Sequence, residues 1–350
     1  MQIKRITTIS RRWLVHIFKR AILLGCISLS MITTPLLANH EANEFSSPDS
    51  PIAMQESWVN SKIEYHDDAA GADIVMVLDQ QTYPAFASDI KLFAEKQGIK
   101  LVLHSGTCGI SANGLVKKNI DIGGYCCPPG KGDRLPGLVF HTIGIAPIAI
   151  MVNQRNLIGN VTSRQAKNIF SGEIFRWSEL KSENGDMGQN IPIQVIARLH
   201  CKSRPGHWKL ILDNEEKFSP RLREVGTIKD MVSQISSNTS AIGYETEWMM
   251  KFYQKEKTIK HVTINDRSPA DKDAMLKADY PFYRTYNLAY WENKSLRKPF
   301  VDKLIVFMEK LVQEKGEKYG IIPSSDLRNA GWLFSNNELI SEPERVHPDE

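Results

Sequence analysis

The chain has 350 residues, with 44 Lys+Arg against 40 Asp+Glu. That length exceeds what one small core needs and predicts two lobes or domains. Six of the basic residues and none of the acidic ones lie in the first 38 positions, so the remaining 312 residues carry 38 basic against 40 acidic groups and offer no basic footprint for nucleic acid.

In chain order, Lys4, Arg5, Arg11, Arg12, Lys19 and Arg20 form a cationic start, followed by an apolar run from Ala21 to Leu37 and a small residue at Ala38. This pattern predicts an export signal over 1–38, cleaved so that Asn39 begins the mature chain. The run is about 17 residues and is diluted by Ser28, Ser30, Thr33, Thr34 and Pro35, whereas a membrane span needs about 20 apolar residues. Ser10-Arg11-Arg12-Trp13-Leu14 loosely resembles a twin-arginine signal, and Leu23-Leu24-Gly25-Cys26 a lipoprotein cleavage box. Both export routes stay open as alternatives. No later apolar run approaches spanning length, so the mature protein is expected to be soluble and periplasmic.

Residues 39–68 are polar and read as a flexible leader. Asp73–Leu78 has the length of a buried strand, and 84–97 has helical spacing (Ala85, Phe86, Ile90, Leu92, Phe93) stopped by Gly98. Lys100–His104 and Asp121–Tyr125 read as further strands, and Leu138–Val152 as one long buried strand. Thr162 and Gln165 have the spacing of a helix-opening capping box. Pro192–Ala197 and Ser240–Tyr244 are strands, and Val301–Lys315 is an amphipathic helix with Leu304, Ile305, Met308, Leu311 and Val312 on one face. Strands alternating with helices predict an α/β fold with mainly parallel sheets.

In such folds, ligands bind at the carboxyl ends of strands, where loops lead into helix N-termini with exposed N–H groups. Three loops qualify: Ser105–Gly109, Tyr125–Pro129 and His200–His207. The four cysteines beyond the signal, Cys108, Cys126, Cys127 and Cys201, all lie on them. In an exported chain this even count is compatible with two disulfides, with one disulfide and two thiols, or with thiol ligands.

From Asp73 to about Pro323 the chain resembles the periplasmic phosphate-binding proteins of ABC transporters. The resemblance rests on Asp121-Ile122-Gly123-Gly124, on Pro147–Asn153, on Asn160–Glu179 with its Ile169-Phe170-Ser171-Gly172 and Trp177-Ser178, on Ala241–Tyr244 and on Tyr280–Arg284. It implies two α/β lobes joined by a hinge, with ligand held in the cleft and lobe closure as the functional motion. Lobe 1 is expected from 70–150 and 258–335, lobe 2 from 151–257, and a polar tail from 336–350. The implied partners are a small-molecule or ion ligand and an ABC permease, with a sensor kinase as the alternative receiver of the bound state. A monomer is expected.

The loops depart from the family pattern. Asp79–Pro84 lacks its hydroxyl-rich, glycine-rich character, Cys108 replaces a glycine after Ser105-Gly106-Thr107, and Cys126 falls where the family has a ligand-contacting aspartate. The family's arginine is matched by Arg198, but the residues after it are His200, Cys201, Lys202, Ser203, Arg204, Pro205, Gly206 and His207. Arg198, Arg204, Ser105, Gly106 and Thr107 suit an oxyanion. Cys108, Cys126, Cys127, Cys201, His200 and His207 suit a soft ion, with Cys108, Cys126, Cys201 and His200 the candidate metal ligands. The candidate ligand is therefore a phosphate-like oxyanion or a thiophilic ion. No cofactor is established by the sequence; a bound soft metal or thiophilic oxyanion is the candidate. No nucleotide, zinc-protease or phosphate-loop motif occurs, so an enzyme is not expected; the alternative is a Cys-dependent thiol oxidoreductase.

Overall fold

The computed structural model describes residues 46–181, 185, 187–199, 211–212, 215–254 and 256–344. In chain order the elements are α1 (Glu56–Val59), β1 (Ile74–Leu78), α2 (Thr82–Lys96), β2 (Leu101–Ser105), α3 (Cys108–Val116), β3 (Ile122–Tyr125), β4 (Leu138–Pro147) and β5 (Ala149–Asn153). Then follow β6 (Asn160–Val161), α4 (Ser163–Ser171), β7 (Gln194–Ala197), β8 (Arg223–Glu224), α5 (Ile228–Ser237), β9 (Ala241–Glu245), α6 (Glu247–Tyr253) and β10 (Ile259–Ile264). The last are α7 (Lys272–Leu276), β11 (Tyr283–Trp291), α8 (Pro299–Lys315), β12 (Ile322–Pro323), α9 (Ser324–Asn329), β13 (Leu333–Ser335) and β14 (Glu338–Ser341).

Among the described residues two six-stranded sheets, in the orders β12-β4-β11-β3-β1-β2 and β6-β10-β5-β9-β7-β8, organise these elements, and β13 pairs with β14 in a separate two-stranded sheet. Every residue of β1, β3, β5 and β9 is buried, which explains their unbroken apolar or small-residue runs. In α2, Ala85, Phe86, Ile90 and Ala94 face the core at helical spacing, and Gly98 ends the turn at φ 66°.

The parallel pairs are β3-β1-β2 at one side of the first sheet, and β9-β7-β8 at one side and β6-β10 at the other side of the second. The strands linking the sheets, β4, β5 and β11, pair antiparallel, as does β10 with β5. The sheets are therefore mixed rather than mainly parallel. The long strand expected over Leu138–Val152 is two strands in different sheets. The chain passes between them at Ile148, which is wholly buried, so hydrophobicity does not drop at the break.

Three expected boundaries differ. β10 pairs with β5 and β6 in the second sheet, so the chain leaves that sheet after Ile264 rather than before 258. The described part of the expected flexible leader is docked: Ile52, Met54, Trp58, Ile63 and Tyr65 pack on the first core. Trp58 Nε1 donates to Val116 O at 2.7 Å, and Lys118 Nζ donates to the carbonyls of Trp58 and Ser61 at 2.6 and 2.8 Å. The described start of the expected polar tail is also built in. Glu338 on β14 accepts both terminal nitrogens of the buried Arg134, at 2.6 and 2.5 Å. A few apolar or paired residues anchor segments whose average composition is polar.

Candidate functional site

The carboxyl ends of β1, β2 and β3 release three loops on one side of the first sheet. After β1, Asp79 is buried and organises the start of α2. Its carboxylate accepts from Gln81 N at 2.8 Å, from Thr82 N at 3.2 Å and from the Thr82 hydroxyl at 2.5 Å. Burial pushes the Asp79 carboxyl above its usual range, against these hydrogen bonds.

After β2, Ser105 is exposed and Gly106 is buried. A Cβ at Gly106 would lie 2.7 Å from Val77 Cγ1, so only glycine lets this turn lie against β1. The Thr107 side chain caps α3 by accepting from Ile110 N at 3.2 Å. Cys108 then opens α3, buried.

After β3, Cys126 and Cys127 turn back toward Cys108. Cys108 Sγ lies 3.3 Å from Cys126 Sγ and 3.6 Å from Cys127 Sγ, and the Cys126 backbone N–H donates to Cys108 Sγ at 3.2 Å. Those separations are far beyond the ~2.05 Å of a bonded pair, so neither contact is a disulfide. Asn287 Nδ2 donates to Cys127 O at 3.1 Å and fixes the turn. The hydrogen bond to Cys108 and burial push the Cys126 thiol well up, so it keeps its proton at neutral pH.

Facing these loops, Arg198 directly follows β7 and Glu245 ends β9. Glu245 is buried and gathers donors from both sheets. It accepts from Gln81 Nε2 at 2.6 Å, Thr246 N at 2.9 Å, Arg198 Nη1 at 3.2 Å, and Arg284 Nε and Nη2 at 3.3 and 3.4 Å. Arg198 Nη2 donates across to Gln80 Oε1 at 2.6 Å. Gln81 Oε1 accepts from the Tyr286 hydroxyl at 2.8 Å and the Thr246 hydroxyl at 3.1 Å. Arg284, on β11, also brings Nη1 to 3.9 Å from Cys126 Sγ, joining the polar network to the thiols. Loops from the two sheets thus meet over one small polar and sulfur-lined region.

A family model described as the PBP superfamily domain matches residues 64–309, well over half the chain. The chain belongs to the PBP superfamily. Among solved structures, this PBP chain is similar to an ABC-type phosphate transport receptor from Vibrio cholerae: 19% identity, TM-score 0.56, covering 71% of this chain and 99% of that one. It is also similar to a Clostridium perfringens protein with bound phosphate, assigned as a phosphate ABC transporter substrate-binding protein. The identity there is 17% and the TM-score 0.59, covering 71% of this chain and 98% of that one. The two-lobed α/β fold expected from the sequence is the fold of this PBP chain.

Of the site residues expected in this PBP chain, Cys108, Cys126 and Cys127 come together, and Arg198 lies at the meeting of the two sheets. Ser105 is exposed and the Thr107 oxygen is engaged as a helix cap. His200, Cys201, Arg204 and His207 lie outside the described residues. Among the described residues no group of three or more His, Cys, Asp or Glu is disposed to hold a metal ion, and two of the four candidate metal ligands, His200 and Cys201, lie outside those residues. The sequence reading missed Asp79, Gln81, Glu245, Arg284 and Tyr286. A signal was present for two of them: Glu245 directly follows the Ala241–Tyr244 strand, and Arg284 ends the Tyr280–Arg284 segment.

Proposed function

We propose that this PBP superfamily chain is a periplasmic solute-binding protein that closes over a small solute and presents it to an ABC-type membrane transporter. The export-signal pattern over 1–38 and the likeness to phosphate receptors support that reading. The observation that carries it is the set of contacts between the sheets, Arg198 to Gln80 and Glu245 to Gln81 and Arg284, at the strand ends. Such contacts are what a closing cleft makes and breaks.

The same contacts favour a thiophilic solute over phosphate. Among the described residues Glu245 engages both Arg198 and Arg284 at these strand ends, so a dianion would meet a buried carboxylate beside those guanidinium groups. Catalysis by a cysteine nucleophile is less well supported, because reactive thiols have lowered pKa values and Cys126 is pushed up. The test is small-angle scattering and thermal melting of the dialysed, reduced protein with inorganic phosphate, sulfate, arsenite or zinc. Compaction and a higher Tm are expected with a thiol-seeking species, with a smaller effect from phosphate. No compaction with any of them overturns the reading.

A further inference from the structure

Cys108, Cys126 and Cys127 are all buried at the strand ends, and the Cys108 sulfur stands in van der Waals contact with each of the other two. If each sulfur moved to about 2.3 Å from a shared centre, the zinc–thiolate length, the separations of 3.3 and 3.6 Å would subtend about 90° to 105°. Those angles are narrower than a tetrahedral ion prefers. They suit a pyramidal centre carrying a lone pair. The surroundings add a charge argument. Glu245 supplies one counter-charge to the two nearby guanidinium groups, and taking three thiol protons from a site this buried would add negative charge beside the Asp79 carboxyl. A divalent cation would need those protons removed. A neutral ligand would bring no charge to desolvate.

Resting on the solute-binding reading above, we propose that Cys108, Cys126 and Cys127 capture a neutral trivalent hydroxide of a soft group-15 element, of which arsenite is the simplest probe. The step is condensation. Three element–oxygen bonds break and three element–sulfur bonds form. Each thiol proton leaves with a displaced hydroxide as water, and the centre stays trivalent, so no oxidant or reductant enters. Thiols that hold their protons are the right reactants, and the raised Cys126 pKa is consistent with this. Arg284, 3.9 Å from Cys126 Sγ, and Gln81, through Glu245, tie the thiol loops to the contacts between the sheets. Capture would thereby be coupled to closure.

The experiment uses the mature protein kept anaerobic and incubated with sodium arsenite. Native mass spectrometry, thiol titration, arsenic X-ray absorption and small-angle scattering are read together. The expected result is a one-to-one adduct, a gain of one arsenic less three hydrogens, three fewer titratable thiols, and an arsenic shell of three sulfurs and no oxygen. Cys108→Ser, Cys126→Ser and Cys127→Ser should each weaken binding at least 100-fold while the circular dichroism spectrum is kept. If a variant fails to fold, the wild-type absorption shell still decides. Full affinity in a folded single variant, an oxygen in the shell, zinc bound in place of arsenite, or thiols already oxidised in the exported protein each overturns the proposal. Closure with another solute and no arsenite adduct would sink this inference and leave the binding-protein reading standing. An adduct without closure would do the reverse.

Discussion

Asp79 shows how one buried carboxyl serves both helix formation and the cleft. Its oxygens cap the start of α2, yet burial holds its pKa above the ordinary value. The folded state therefore binds this proton at a pH where the unfolded chain has released it. Its contribution is full below the unfolded value of about 4 and is lost as pH rises through the folded value. Asp79→Asn keeps an acceptor for the amides and removes the titration. Urea unfolding from pH 4 to 7 should show stability falling less with rising pH in the variant than in the wild type. Parallel curves would mean that the Asp79 carboxyl is not raised. The sequence placed Asp79 at the start of the loop that follows an apolar strand, without a role of its own. Its partners Gln81 and Thr82 are local, but its burial depends on β3, more than forty residues away, where Gly124 packs against it. Glu245 and Arg284 were hidden for the same reason: their pairing spans 39 positions and has no local pattern.

Elements fixed by neighbouring residues were legible. The Thr162–Gln165 spacing produced a full capping box, with Gln165 N donating to Thr162 Oγ1 at 3.0 Å and Thr162 N to Gln165 Oε1 at 2.8 Å. α2, α8, β1 and β9 likewise lie within a few residues of their apolar patterns. What failed were breaks that leave no dip in hydrophobicity, as at Ile148, and docking by sparse anchors such as Trp58. The cysteine loops were legible as a group because strand ends converge in this class of fold; the contacts of Cys126 and Cys127 with one sulfur were not. Two glycines that end helices allow a test of element-level causes. Gly172, after α4, has φ 85°, and a Cβ there would lie 2.6 Å from Ser219 Oγ. Gly98, after α2, has φ 66° and open space around the same position. Gly98→Ala should cost about 1 kcal/mol of backbone strain. Gly172→Ala should cost more, about 2–3 kcal/mol, because a contact is added to the strain. Denaturant midpoints of the two variants measure the difference. Equal losses would show that Ser219 yields freely.

At the scale of the whole molecule, Glu245 is the hinge of the electrostatic argument. It lies at the end of a second-sheet strand and receives Arg198 from its own sheet and Gln81 and Arg284 from the other. Part of the counter-charge to the two arginines is therefore supplied within the protein, whereas a cleft built for an oxyanion would leave it to the ligand. Glu245→Gln removes the internal anion and leaves two buried guanidinium groups short of a counter-charge. Breaking a buried pair on one side costs about 3–5 kcal/mol, so the variant should melt well below the wild type. An anion that enters the cleft and restores the balance binds only the folded state and raises its stability by mass action. Phosphate or sulfate should accordingly raise the Tm of Glu245→Gln by several degrees more than that of the wild type, and the gain should shrink as sodium chloride screens the charges. Equal phosphate responses in the two proteins would mean that Glu245 does not stand in the place of the anion, and the preference for a neutral solute would lose its electrostatic basis. A larger response in the variant would show that one carboxylate at the end of β9 separates this chain's selectivity from that of an oxyanion binder.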